Sequence, residues 1–100
     1  MKKDKFKTDV IFRKFKDEIL ALFPYMIADY NGNVTCYAHI GQHSSANYNY
    51  IITNSKPIHD PKNLNLYKEL INIGYNLKII KRQNYNKYLK NLRISRITYK

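Results

Sequence analysis

Between Tyr30 and Ser55 the chain contains no aspartate, glutamate, lysine or arginine, and after Glu69 it contains no acidic residue. It has no tryptophan and a single cysteine, Cys36, which excludes an intrachain disulfide and fits a reducing cytoplasm. No apolar run approaches the length needed to span a bilayer. Residues 1–9 are basic but are not followed by the apolar stretch of a secretory signal, so none is expected there. No internal repeat, phosphate-loop spacing or second-domain boundary is visible. A membrane protein, a disulfide scaffold and a recognisable nucleotide-hydrolysing motif are thereby set aside.

What remains is a basic chain of 100 residues, 44% apolar, with ten tyrosines and a formal net charge of +11. That length suits one domain. The charge favours an anionic partner: nucleic acid, a nucleotide or an acidic protein surface. Lysine outnumbers arginine fourteen to four, and Lys, Asn, Ile and Tyr are the residues that A/T-rich codons specify, so the charge alone does not define a partner. Its layout says more. The cations lie in the first sixteen residues or from Lys56 onward, on either side of a neutral, polar and aromatic centre.

The pattern predicts an α+β fold of order β-β-β-α-β-α, with a basic arm over 1–9, one domain over 10–93 and a basic tail over 94–100. Val10 and Phe12 alternate with more polar neighbours as in a strand. Lys16-Asp17 is a tight connection to a second strand from Glu18, which Pro24 ends or bends. Asn31-Gly32 supplies the positive φ angles of a hairpin turn. Val34, Cys36, Ala38 and Ile40 share one face of a third strand, completing an antiparallel meander. Residues 41–49 read as a polar loop with a helical turn opened by Ser44 or Ser45, and 50–53 as either strand or helix. Asp60-Pro61 is a helix start, Gly74 a helix stop, 77–82 a fourth strand, and Asn84 the cap of a final helix.

Two groups of residues stand out as sites. Gly41, Gln42, His43, Ser44 and Ser45, with Tyr37, His39 and Tyr48 around them, offer short hydrogen-bonding groups and aromatic rings to a small polar or anionic ligand. Lys78, Lys81, Arg82, Lys87, Lys90, Arg93 and Arg96 form the densest basic region, with Lys87, Lys90 and Arg93 read as one row on the final helix. Cys36 and His39 fall on opposite faces of a strand, which argues against a shared metal and against a Cys-His nucleophile pair. No metal, cofactor or catalytic residue is therefore assigned; His43 is the residue suited to proton transfer if any chemistry occurs.

Thr8-Asp9-Val10-Ile11-Phe12-Arg13, Ala21-Leu22-Phe23-Pro24-Tyr25, Cys36-Tyr37-Ala38-His39-Ile40-Gly41-Gln42-His43-Ser44-Ser45-Ala46, Ser55-Lys56-Pro57 and Ile73-Gly74-Tyr75-Asn76-Leu77 resemble a family of small proteins encoded by bacteriophages and mobile elements of the Bacteroidetes. The Gly-Gln-His-Ser-Ser core is the most specific part, and the basic end past Leu92 falls outside the likeness. The resemblance implies a phage or mobile-element origin and carries no established activity. The function expected is a non-enzymatic module that binds nucleic acid or a nucleic-acid-bound host machine in the cytoplasm. Two alternatives stand beside it: a counter-defence sponge holding a nucleotide signal at 41–46, and an inhibitor of a host enzyme. An exposed sheet edge would also suit a homodimer.

Overall fold

The computed structural model describes residues 7–38 and 42–98. The fold is α+β, as the sequence predicts, but with more elements: β1 (Thr8–Phe15), β2 (Glu18–Ile27), β3 (Val34–Ala38), β4 (Gln42–Ala46), α1 (Tyr48–Thr53), β5 (Ser55–Pro57), α2 (Asn65–Ile73), β6 (Leu77–Ile79) and α3 (Tyr85–Thr98). The strands form one sheet in the order β4-β3-β2-β1-β5, with β6 also pairing with β1. All pairings are antiparallel except β1 with β6, which is parallel.

The predicted meander is present as β1-β2-β3. Lys16-Asp17 makes the first connection, with Lys16 at a φ of +57°, and Phe15 pairs with Glu18 across it. The second connection is built on Asp29, whose carboxylate accepts from the Asn31 and Asn33 N–H groups and from Asn33 Nδ2. Of the Asn-Gly pair, Gly32 alone takes a positive φ, +88°. β2 runs on through Pro24 to Ile27. Pro24 is fully buried and lies just past Leu22, where the β1–β2 ladder ends, and within the β2–β3 register shift between Phe23 and Ile27, so its missing N–H leaves no ladder bond unmade.

Both faces of the central strands are buried, so each face has its own core. On one, Val10, Phe12, Ala21, Phe23 and Tyr37 meet Leu66 and Leu70 of α2. On the other, Ile11, Leu20, Leu22 and Cys36 meet Ile51 of α1. Burial of such side chains contributes about 1.5–3 kcal/mol each, which makes these two layers the main source of stability. Arg13 ties α1 to β5: its Nε donates to Ser55 Oγ at 2.8 Å, and its Nη2 to the carbonyls of Ile52 at 3.1 Å and Ser55 at 2.8 Å.

Five boundaries differ from the sequence reading. The strand expected over 77–82 is β6 and ends at Ile79. Residues 42–46 are an edge strand rather than a loop, because β3 supplies backbone partners to a segment whose His43, Ser44 and Ser45 remain exposed. The cap of α1 is then Asn47, whose side-chain oxygen accepts from the Tyr50 N–H, not Ser44 or Ser45. Asp60-Pro61 opens a 3-10 turn over 61–63 without a side-chain cap, and α2 starts only at Asn65. Parts of both expected terminal segments belong to elements: β1 includes Thr8 and Asp9, and α3 runs through 94–98. Residues 1–6 and 99–100 of the expected arm and tail are outside the described residues.

Gly74 closes α2 at a φ of +126°, and an added Cβ there would meet nothing within 4 Å. At Gly32 an added Cβ would stand 2.6 Å from the Tyr88 hydroxyl. Gly74→Ala is therefore expected to cost about 1 kcal/mol through backbone strain alone. Gly32→Ala adds a steric conflict to similar strain and is expected to cost about 2–3 kcal/mol. Urea unfolding of the two variants measures the difference.

Candidate nucleic-acid interface

The end of the chain is built around α3. Asn84 caps it, its side-chain oxygen accepting from the Lys87 N–H at 3.0 Å, as the sequence predicts. The helix then lies against the end of β2 and the β2–β3 connection. Gln83 Nε2 donates to the Pro24 carbonyl at 2.7 Å, Tyr88 Oη to that of Gly32 at 2.6 Å, Asn91 Nδ2 to that of Tyr25 at 3.2 Å and Arg96 Nε to that of Tyr30 at 3.1 Å. Tyr25 Oη accepts from the Asn84 N–H at 2.7 Å.

This docking divides the predicted basic row. Lys87 is exposed but tethered: its Nζ is 3.1 Å from the Asp9 carboxylate and 4.3 Å from the centre of the Tyr25 ring. Arg96 lies over the Tyr30 ring at 5.1 Å. Both serve to hold the helix. Lys90 and Arg93 lie about one turn apart and are exposed, as are Lys78, Lys81 and Arg82 before the helix. None of these five has a carboxylate partner among the described residues. Two aromatic rings are exposed as well. Tyr85 is 64% exposed and stacks on Tyr88 at 6.1 Å, and Tyr30 is 58% exposed.

Lys81 also belongs to a second feature. β5 and β6 pair with the same edge of β1, at Arg13–Phe15 and Thr8–Val10, and leave a gap between them. A cleft of about 500 Å³ opens there, with Ile11, Phe12, Ile58, Ile79 and Ile80 in its wall and Arg13, His59 and Lys81 contributing the cationic and titratable groups. Sequence reasoning missed this cleft because its walls come from separate segments, joined only by the pairing of β5 and β6 with β1. It also missed the exposed ring of Tyr85, the first residue of α3.

The other predicted site is divided as well. His39 and Gly41 are outside the described residues, as is the side chain of Gln42. His43 and Ser45 face the side of the sheet on which Tyr37 lies, while Ser44 faces that of Cys36, so one pocket cannot be lined equally by all of them. His43 Nε2 is 3.0 Å from Tyr75 Oη, and its ring meets that of Tyr37 edge-on at 4.7 Å. Tyr37 is fully buried, and its hydroxyl donates to the Glu69 carboxylate. Tyr48 Oη accepts from the Gln83 N–H at 2.8 Å. These aromatic groups are thus bound into the fold: Tyr37 in the core and Tyr48 as an anchor for the segment leading into α3.

Burial, with the Glu18 charge as a lesser cause, pushes the Cys36 thiol up to about 11, against a partly offsetting hydrogen bond with Ser44. It stays a neutral thiol at physiological pH and is a poor nucleophile. Alkylation of Cys36 by iodoacetamide at neutral pH is expected to be slow in the native protein and to accelerate more than tenfold in urea, a difference read by mass spectrometry (about tenfold per pKa unit of thiolate population). Equal rates would show the thiol to be accessible. Among the described residues no three His, Cys, Asp or Glu side chains come together as a metal site. No helix among them is long and apolar enough to cross a membrane. No protein-family model, curated protein or solved structure matches the chain.

Proposed function

We propose that this chain is a small, non-catalytic module that binds a single strand of nucleic acid along the surface formed by the 78–82 segment and α3. The observation that carries the reading is that Lys78, Lys81, Arg82, Lys90 and Arg93 are exposed and have no carboxylate partner among the described residues, and that the ring of Tyr85, the first residue of α3, is exposed as well. Cations that are neither paired nor buried lose little on meeting phosphates, and each contact releases counterions. An exposed ring adds a stacking face that accepts any base. A duplex offers its bases less readily to such a ring, which favours a strand with unstacked bases. Lys81 joins this surface to the apolar cleft at the β1 edge, where an unpaired base has room. A phage or mobile-element origin and action inside the host cell belong to the same proposal.

Fluorescence anisotropy of a labelled single-stranded oligonucleotide across a salt series tests it. The expected result is saturable binding whose logarithmic affinity falls linearly with the logarithm of salt, with weaker binding for Tyr85→Ala by about 1–3 kcal/mol. Absence of binding at low salt, or binding indifferent to salt, would overturn the proposal.

A further inference from the structure

The two edges of the sheet are defended very differently. One edge, formed by β5 and β6 against β1, carries Lys14, Lys56, Lys78 and Pro57. Charges and prolines of this kind stop a sheet from adding another strand. The other edge is β4, Gln42–Ala46, which has no charge and no proline and lies within the acid-free and base-free stretch between Tyr30 and Ser55.

The backbone of β4 is also available. Thr8 N–H donates to the Asn76 carbonyl and Val10 O accepts from Ile80, so the even-numbered residues of β1 turn their backbone groups away from β2. Alternation across the ladders then aims Ile11 and Arg13 at Leu22 and Leu20, Ala21 and Phe23 at Tyr37 and Thr35, and Cys36 at Ser44. Ser44 is thus turned toward β3, and the N–H and C=O groups of His43 and Ser45 point off the sheet. Both residues are exposed.

We infer that β4 is the interface at which two copies of this chain pair, antiparallel, about a twofold axis at Ser44. In that register His43 faces Ser45 of the second copy and Ser45 faces its His43, so every outward group of both residues finds a partner. A closed, isologous contact of this kind consumes the edge completely. Charge selects a second copy as the occupant. Two molecules of net charge +11 repel wherever their lysines and arginines meet, and β4 brings together their one long uncharged segment. The sheet becomes continuous through β4, and the lysine-bearing edges take the two outer ends, as far apart as the sheet permits.

The pairing is tested on protein washed free of nucleic acid with high salt, by native mass spectrometry and sedimentation over a dilution series. The wild type is expected to show a species of twice the 12.0 kDa chain mass that dissociates on dilution. Ser45→Pro removes an N–H that points away from β3, so it is expected to give a monomer with the wild-type circular dichroism spectrum. Ser44→Cys in a Cys36→Ala background is expected to form an intermolecular disulfide on oxidation. Residues opposite one another in a non-hydrogen-bonded antiparallel pair have Cα atoms about 4.5 Å apart, within disulfide range. A single 12.0 kDa species at every concentration, or a dimer that persists in Ser45→Pro without disulfide formation in the cysteine variant, overturns the assignment.

Discussion

Replacing Lys81, Arg82, Lys90 and Arg93 together with alanine is expected to flatten the salt dependence of oligonucleotide binding while leaving the fold intact. Each phosphate contact to a single strand contributes about 0.7 to the slope of log affinity against log salt, so losing four lowers the slope by about 3. Over about a fourfold rise in salt, the wild type should lose roughly fifty-fold more affinity than the variant. Stability should hold, because these side chains are exposed and have no carboxylate partners among the described residues. Lys87→Ala is the informative contrast. Its ammonium sits between Asp9 and the Tyr25 ring, so its loss should loosen α3 with a smaller change in slope. Equal slopes for the fourfold variant and the wild type would place the bound strand elsewhere.

The largest effect on stability is expected from Phe23→Ala, at about 3–5 kcal/mol. Phe23 is fully buried in the core beneath α2 and stacks on Tyr75 at 5.1 Å, with planes 21° apart. Deleting the ring removes its transfer free energy and leaves a void that Val10, Ala21 and Tyr37 cannot all close. Against a total of about 5–15 kcal/mol for a domain, that loss takes much of the folded state's margin. Tyr37→Phe, which keeps the ring and deletes only the hydroxyl bonded to Glu69, should cost less, about 1–3 kcal/mol. Urea unfolding followed by tyrosine fluorescence and circular dichroism separates the two. A smaller cost for Phe23→Ala than for Tyr37→Phe would mean that the core collapses onto the missing ring.

What could be read from the sequence was whatever local chemistry decides. Lys16-Asp17, Gly74 and Asn84 act through their own backbone or a side chain reaching a few residues, and they stand where the sequence puts them. The meander followed from runs with apolar residues and the turns between them. β4 was not legible, because Gln42, His43, Ser44 and Ser45 have no apolar alternation; β3 makes them a strand. β5 is too short to carry a pattern, and the parallel pairing of β6 with β1 joins residues far apart in the chain. The same division applies to the candidate site. Sequence located the cations, but only the docking of α3 sorts Lys87 and Arg96, which hold the helix, from Lys90 and Arg93, which make no such contact among the described residues. Only tertiary pairing assembles the cleft.

The way α3 is attached bears on how this protein can change. Pro24, Tyr25, Tyr30 and Gly32 each offer α3 a main-chain carbonyl rather than a side chain. Such contacts read the path of the 24–32 segment and are indifferent to most of the side chains on it. Tyr25 is the exception, since its hydroxyl and its ring are both used. Tyr30 adds its ring, over which Arg96 lies. Substitutions at Met26 or Ala28 can therefore accumulate without releasing the helix, while the exposed side of α3 varies in its own right. A helix held by its partner's backbone thus tolerates sequence drift along the segment that carries it.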